Sequence, residues 1–226
     1  MRERDGPLRG VQGRCLEQRA VPLTALPISL NGEKISALVV GGGRVGTRKA
    51  LALSAAGAAV RVIAPNISAE LSEAARDGAL SIESREYAGQ ADIASCQVVI
   101  AATDSRDVNA TVAADAHALC RLVSVADSAT EGSFISMAVH RAGSVAIGVS
   151  AGNVPTAAGR IRDAIAARFD ERYGDAVAGC AELRSKILDE QGSVAWANIH
   201  PGLIGADFCA RVENATFSEE LAACRS

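Results

Sequence analysis

Gly41, Gly43 and Gly46 stand at the spacing G-x-G-x-x-G, and the chemistry that suits this spacing is the holding of a pyrophosphate. Gly41 permits a tight turn, Gly43 offers bare backbone to a phosphate, and Gly46 lets the next helix sit close. The first turn of that helix, Arg44-Val45-Gly46, adds unpaired N–H groups and a partial positive charge. A dinucleotide site usually places a carboxylate on the adenosine ribose about 20 residues further on. Here that stretch reads Ala64-Pro65-Asn66. The ribose is left to backbone groups near Ala64 and Pro65, or to Asn66. Arg61 would suit a 2′-phosphate but lies inside a strand, so the motif does not choose between NAD and NADP. Thr103-Asp104 and Asp127-Ser128 are the other polar groups placed for chemistry. Thr103 is positioned to approach a cofactor, and Asp104 reads as the cap of the helix that starts at Ser105. Asp127 is either a turn cap or an acid–base group.

The elements around these residues follow from periodicity. Leu38-Val39-Val40 is a short β-branched run ending at the glycines, and from Val45 the apolar spacing becomes helical until Gly57. Further strands are expected at 59–64, 80–83, 97–103 and 122–126, with helices at 67–78 and 105–119 and a short helix or turn at 88–95. Strands alternating with helices predict a parallel, doubly wound α/β sheet, with ligands at the carboxyl ends of its strands. Leu26–Leu30 reads as an edge strand entering this Rossmann domain of residues 26–128. Residues 134–140 and 144–150 read as a hairpin with one covered face, too small to stand alone. That element, residues 129–152, is expected to pair with a second copy as a homodimer. Residues 153–226 read as helical. Ile161, Ile165 and Phe169 step by four, and Val177, Cys180, Arg184 and Ile187 share one helical face. Trp196 and Phe208 are the candidate anchors beyond residue 192.

Composition narrows the function. The net charge is −3 and aromatics are 3% of 226 residues, which argues against a nucleic-acid surface. No apolar run is long enough for a membrane span. Residues 1–25 carry five arginines but no continuous apolar core, and read as a disordered tail or an overlong start rather than a secretory signal. The six cysteines include no C-x-x-C pair, so a reduced, cytoplasmic protein is expected. Neither the cysteines nor His117, His140 and His200 have the spacing of a resident metal site.

Several pieces stand in one order: Leu26-Pro27-Ile28, V-V-G-G-G-R-V-G-T-R-K-A at 39–50, A-A-T-D at 101–104, V-A-D at 125–127, S-F-I at 133–135 and S-A-G-N-V-P at 150–155. Over roughly residues 26 to 190 this set resembles the precorrin-2 dehydrogenase / sirohydrochlorin ferrochelatase family, which also forms the first module of siroheme synthase. With no methyltransferase module following, the resemblance is to the stand-alone form. It implies NAD-dependent oxidation of precorrin-2 to sirohydrochlorin, with insertion of ferrous iron as a further step in many members. It implies Asp127 as the catalytic base, and Ser150 and Gly152 in the substrate loop. Arg160, the best placed of the arginines that follow, belongs either to a solvated basic helix face or to the cations that a tetrapyrrole carboxylate needs. Ser124, Ser136-Met137 and Val154 depart from the family pattern, the last two where the tetrapyrrole would rest. The alternative reading is a regulatory module that senses NAD without catalysis.

Overall fold

The computed structural model describes residues 26–152 and 154–225; the expectation for residues 1–25, Cys15 and Asn153 of the 150–155 loop lie outside them. A five-stranded parallel sheet is built from β1 (Ser36–Val40), β2 (Ala59–Ile63), β3 (Ser81–Glu83), β4 (Val98–Ala101) and β5 (Leu122–Val125), in the order β3-β2-β1-β4-β5. Between them run α1 (Arg44–Ala55), α2 (Ala69–Arg76), α3 (Gln90–Ile93) and α4 (Arg106–Ala118). Side chains alternate across the sheet, and both faces are apolar. On one face Leu38, Val40 and Val99 pack with Ile93, Val112 and Ala116 of the α3–α4 side. On the other, Val39, Val62 and Ile100 pack with Ala50 and Leu71 of α1 and α2. Leu38, Val39, Val62 and Val99 are fully buried, each contributing about 1.5–3 kcal/mol of apolar transfer.

The chain leaves the sheet at a pinned point. Ser133 N–H donates to the Val123 carbonyl at 2.8 Å, and the Ser133 hydroxyl accepts from Val123 N–H at 2.8 Å. Phe134 then packs on the α1–α2 side of the core. Beyond it β6 (Ala138–Ala142) and β7 (Val145–Val149) form an antiparallel pair turned at Gly143, whose φ is +52°. α5 (Pro155–Ala166) and α6 (Glu171–Gln191) follow. A Cβ on Gly174 would lie 2.8 Å from the Ala142 carbonyl carbon, so α6 and the hairpin turn meet backbone to backbone. The end of the described chain is α7 (Ser193–Leu203), α8 (Phe208–Glu213) and α9 (Thr216–Arg225).

Four expectations need correction. Leu26–Leu30 is not a strand: Leu26, Ile28 and Leu30 are exposed, and a 3-10 turn at Gly32–Lys34 leads into β1. Pro27 has no N–H to give a ladder. The hairpin strands are shorter than expected, because residues 134–137 serve the crossover. The buried face of α6 is Tyr173, Ala176, Cys180, Leu183 and Ile187, with Arg184 exposed. Ile161 is also exposed, while Phe169 packs in the cluster around Tyr173 and Phe217. Trp196 and Phe208 do touch that cluster, but its fully buried anchor is Phe217.

Candidate functional site

β1 ends at the point where the strand order reverses, with β2 on one side and β4 on the other. A crevice at such a switch point is where open α/β sheets bind ligands. A cavity of about 590 Å³ opens there, walled by the 41–43 glycines, the segment after β2, the turn after β4, and Glu86 and Tyr87 from beyond β3.

The three glycines differ in what holds them. Gly41 has φ +120°, and its added Cβ would lie 2.2 Å from the Ala102 oxygen; a Cβ on Gly46 would lie 2.0 Å from the Gly41 oxygen. Both are demanded by backbone approaching backbone. Gly43 has φ −78° and would meet nothing within 4 Å. No protein atom requires glycine there; the open space belongs to whatever occupies the cavity. Gly43 is also the N-cap of α1 and makes no side-chain cap, leaving the first N–H groups of the helix to an anion. These features fit a dinucleotide pyrophosphate. Of the other residues expected to hold the cofactor, Ala64, Pro65 and Thr103 line the cavity, as does Asn66, whereas the Arg44, Val45 and Gly46 side does not.

Buried polar bonds fix the rim. Asn109 is fully buried; its Oδ1 accepts from Thr103 N–H at 3.0 Å and the Thr103 hydroxyl at 2.8 Å, and its Nδ2 donates to the Thr103 carbonyl at 3.0 Å. The helix cap after β4 is Ser105, which accepts from Val108 N–H, and not Asp104, which lines the cavity. Thr47 of α1 bonds Ser68 at 2.9 Å, and Ser68 caps α2. Neither Asn109 nor Thr47 was legible as a site residue, since each works through a partner distant in sequence.

The wall beyond β3 is tied by charge. Arg85 bonds Glu83 at 2.6 Å and Asp92 at 2.6 Å, Arg61 bonds Glu83 at 2.8 Å, and Ala88 N–H donates to Asp92 at 2.9 Å. Arg61 is thereby committed away from the cavity. Tyr87 donates to Asp115 at 2.9 Å; burial and then that carboxylate push the phenol up from its ordinary range. Hydrogen bonds from Arg61 and Arg85 hold Glu83 below the usual carboxylate range, and Arg85 does the same for Asp92. Carboxylates held low in the fold stabilise it above their unfolded values of about 4, and that contribution disappears as pH falls through the folded values. Acid titration of the protein should therefore show stability falling below about pH 4. An Arg85→Met variant should lose less on acidification, having less to lose. Parallel acid slopes in the two proteins would count against this cluster.

Asp127 follows β5 and is exposed. Among the described residues its one ion pair is with Arg106 at 3.9 Å, and Arg106 also pairs with Glu131. It does not line the cavity, although β4 and β5 are neighbours and Ala126 N–H donates to the Ala101 carbonyl at 2.9 Å. Ser150, Gly152 and Arg160 lie on the hairpin–α5 side, all exposed, with Gly152 at φ +51°. They are not brought to the cavity either. Among the described residues no group of three or more His, Cys, Asp or Glu side chains could hold a metal, and Cys96, Cys120, Cys180 and Cys209 are unbridged. No described helix is long and apolar enough to cross a membrane.

Comparison with known proteins places this geometry. The family model described as "Putative NAD(P)-binding" matches residues 28–138. The siroheme synthase of Pseudomonas putida (strain W619) is 40% identical over 151 residues, which are 66% of this chain and 32% of that protein. The siroheme synthase of Stutzerimonas stutzeri (strain A1501) is 36% identical over 185 residues, 79% of this chain and 40% of that protein. A solved structure titled "SirC, precorrin-2 dehydrogenase" superposes with a TM-score of 0.71 at 25% identity, covering 88% of this chain and 100% of that one. The chain is thus similar to one part of the siroheme synthases and to the whole of the precorrin-2 dehydrogenase. It spans less than half the length of the two siroheme synthases. The likeness to the precorrin-2 dehydrogenase runs past the sheet into the hairpin and the helices, since the sheet and its helices end at residue 125 while the superposition takes in 88% of the chain.

Proposed function

We propose that this chain is an NAD-dependent precorrin-2 dehydrogenase, forming sirohydrochlorin in siroheme biosynthesis. The observation that carries the reading is the extent of the family likeness: a module that only sensed NAD would need the sheet alone. In this reading residues 26–128 bind the dinucleotide, 129–152 form the dimerisation element of a cytoplasmic homodimer, and 153–226 form the helical part of the substrate cleft.

Bound NAD⁺ supplies a hydride acceptor, and precorrin-2 gives up a hydride and a proton. Gly41 and Gly43 would hold the pyrophosphate against backbone, and the N–H groups of Arg44, Val45 and Gly46 at the α1 N-terminus would complement its charge. Ala64 and Pro65 bound the adenosine side. Thr103, fixed by Asn109, sets the opposite rim. Asp127 takes the proton as the general base. Ser150, Gly152 and Arg160 hold the tetrapyrrole, Arg160 through a carboxylate. Asp127 is also the group available to take the two pyrrole protons, one after the other and each passed on to solvent, when ferrous iron, as substrate, enters sirohydrochlorin.

Purified protein given NAD⁺ and excess precorrin-2 should form many sirohydrochlorin molecules per chain, followed by absorbance. Binding of NAD⁺ with no turnover would favour the sensing module instead. Sirohydrochlorin with ferrous iron and no NAD⁺ tests metal insertion separately, against the uncatalysed rate.

A further inference from the structure

The sequence lacks an acidic residue at the end of β2, where a dinucleotide site usually holds the adenosine ribose. The structure brings one in from elsewhere. β3 pairs with β2, Ile63 opposite Glu83, and Ala64 N–H donates to the Glu83 carbonyl at 3.2 Å. Glu86, three residues on, thus reaches the cavity beside Ala64-Pro65-Asn66. Its neighbours are anchored, Arg85 on Glu83 and Asp92 and Tyr87 on Asp115. The Glu86 side chain itself is exposed and has no hydrogen bond or ion pair among the described residues. Among the described residues the cavity lining contains no lysine or arginine; its charged side chains are Glu86 and Asp104, the latter on the turn after β4.

We infer that Glu86 is the specificity-determining residue that accepts from the adenosine ribose hydroxyls and excludes a 2′-phosphate, making the site selective for NAD over NADP. The inference rests on the dinucleotide reading of this cavity. A carboxylate is acceptor-only and pairs with two vicinal hydroxyls. The same carboxylate repels a phosphate, and among the described residues no lining cation offsets that repulsion.

Calorimetric titration of the intact chain with NAD⁺ and NADP⁺ tests it without recourse to turnover. The unmodified protein should bind NAD⁺ at least about tenfold more tightly than NADP⁺, the size of one charge-assisted hydrogen bond gained or lost. Glu86→Gln should narrow that ratio by about tenfold, and Glu86→Arg should invert it. Both should melt like the parent, because the side chain has no partner to lose. Asp104→Asn, on the opposite rim, should leave the ratio unchanged. An unchanged ratio in both Glu86 variants, or an equal shift in Asp104→Asn, overturns the assignment of Glu86 while leaving the site a dinucleotide site. If the unmodified chain binds neither dinucleotide, the reading of the cavity itself is wrong and this inference falls with it.

Discussion

Gly43→Val should abolish NAD⁺ binding in a protein that still folds. The two halves of that result have separate causes. Gly43 has φ −78°, which any residue adopts, and its added Cβ would meet no protein atom within 4 Å. The folded chain therefore accommodates the branch, and the melting temperature should move by only a few degrees. The cavity does not accommodate it, because the branch stands where a pyrophosphate must reach the backbone at the α1 N-terminus. Calorimetry should show an affinity at least a hundredfold weaker, about 2.7 kcal/mol. Gly46→Val is the contrasting case: its Cβ would lie 2.0 Å from the Gly41 oxygen, so that protein should be grossly destabilised. NAD⁺ bound with undiminished affinity by Gly43→Val would remove the glycine turn from the site.

The second large effect is expected at Asp127. Asp127→Asn should retain NAD⁺ affinity and melting temperature, because the side chain is exposed and its one ion pair among the described residues is a loose 3.9 Å contact with Arg106. Turnover of precorrin-2 should fall by about 10²–10⁴-fold, the usual contribution of a positioned base. The amide keeps the shape but cannot take a proton as a carboxylate does. If the same carboxylate serves metal insertion, siroheme formation from sirohydrochlorin and ferrous iron falls with it. Normal oxidation by Asp127→Asn would show that another group takes the proton.

What was legible in the sequence was what is local. The glycine turn could be read because strand, turn and helix are contiguous, and the apolar runs of β1 and β4 could be read because parallel strands covered on both faces are apolar throughout. The phase of α6 was misjudged by one position, Leu183 facing inward rather than Arg184. Alanine and glycine on several sides of that helix blur its apolar stripe. Leu26–Leu30 has the alternation of a strand but no partner strand among the described residues. In the site, Glu86 and Asn109 were invisible for a common reason. Glu86 reaches the cavity only because β3 pairs with β2, and Asn109 acts only through Thr103. Neither has a spacing that a motif could record.

The proposed function couples oxidation of a tetrapyrrole to reduction of NAD⁺. It is tested most directly by measuring NADH and sirohydrochlorin together, in a sealed anaerobic reaction with precorrin-2. One NADH is expected for each sirohydrochlorin, with many turnovers per chain and no product above background when NAD⁺ is omitted. Sirohydrochlorin formed at the same rate without NAD⁺, or no NADH formed with it, would contradict it.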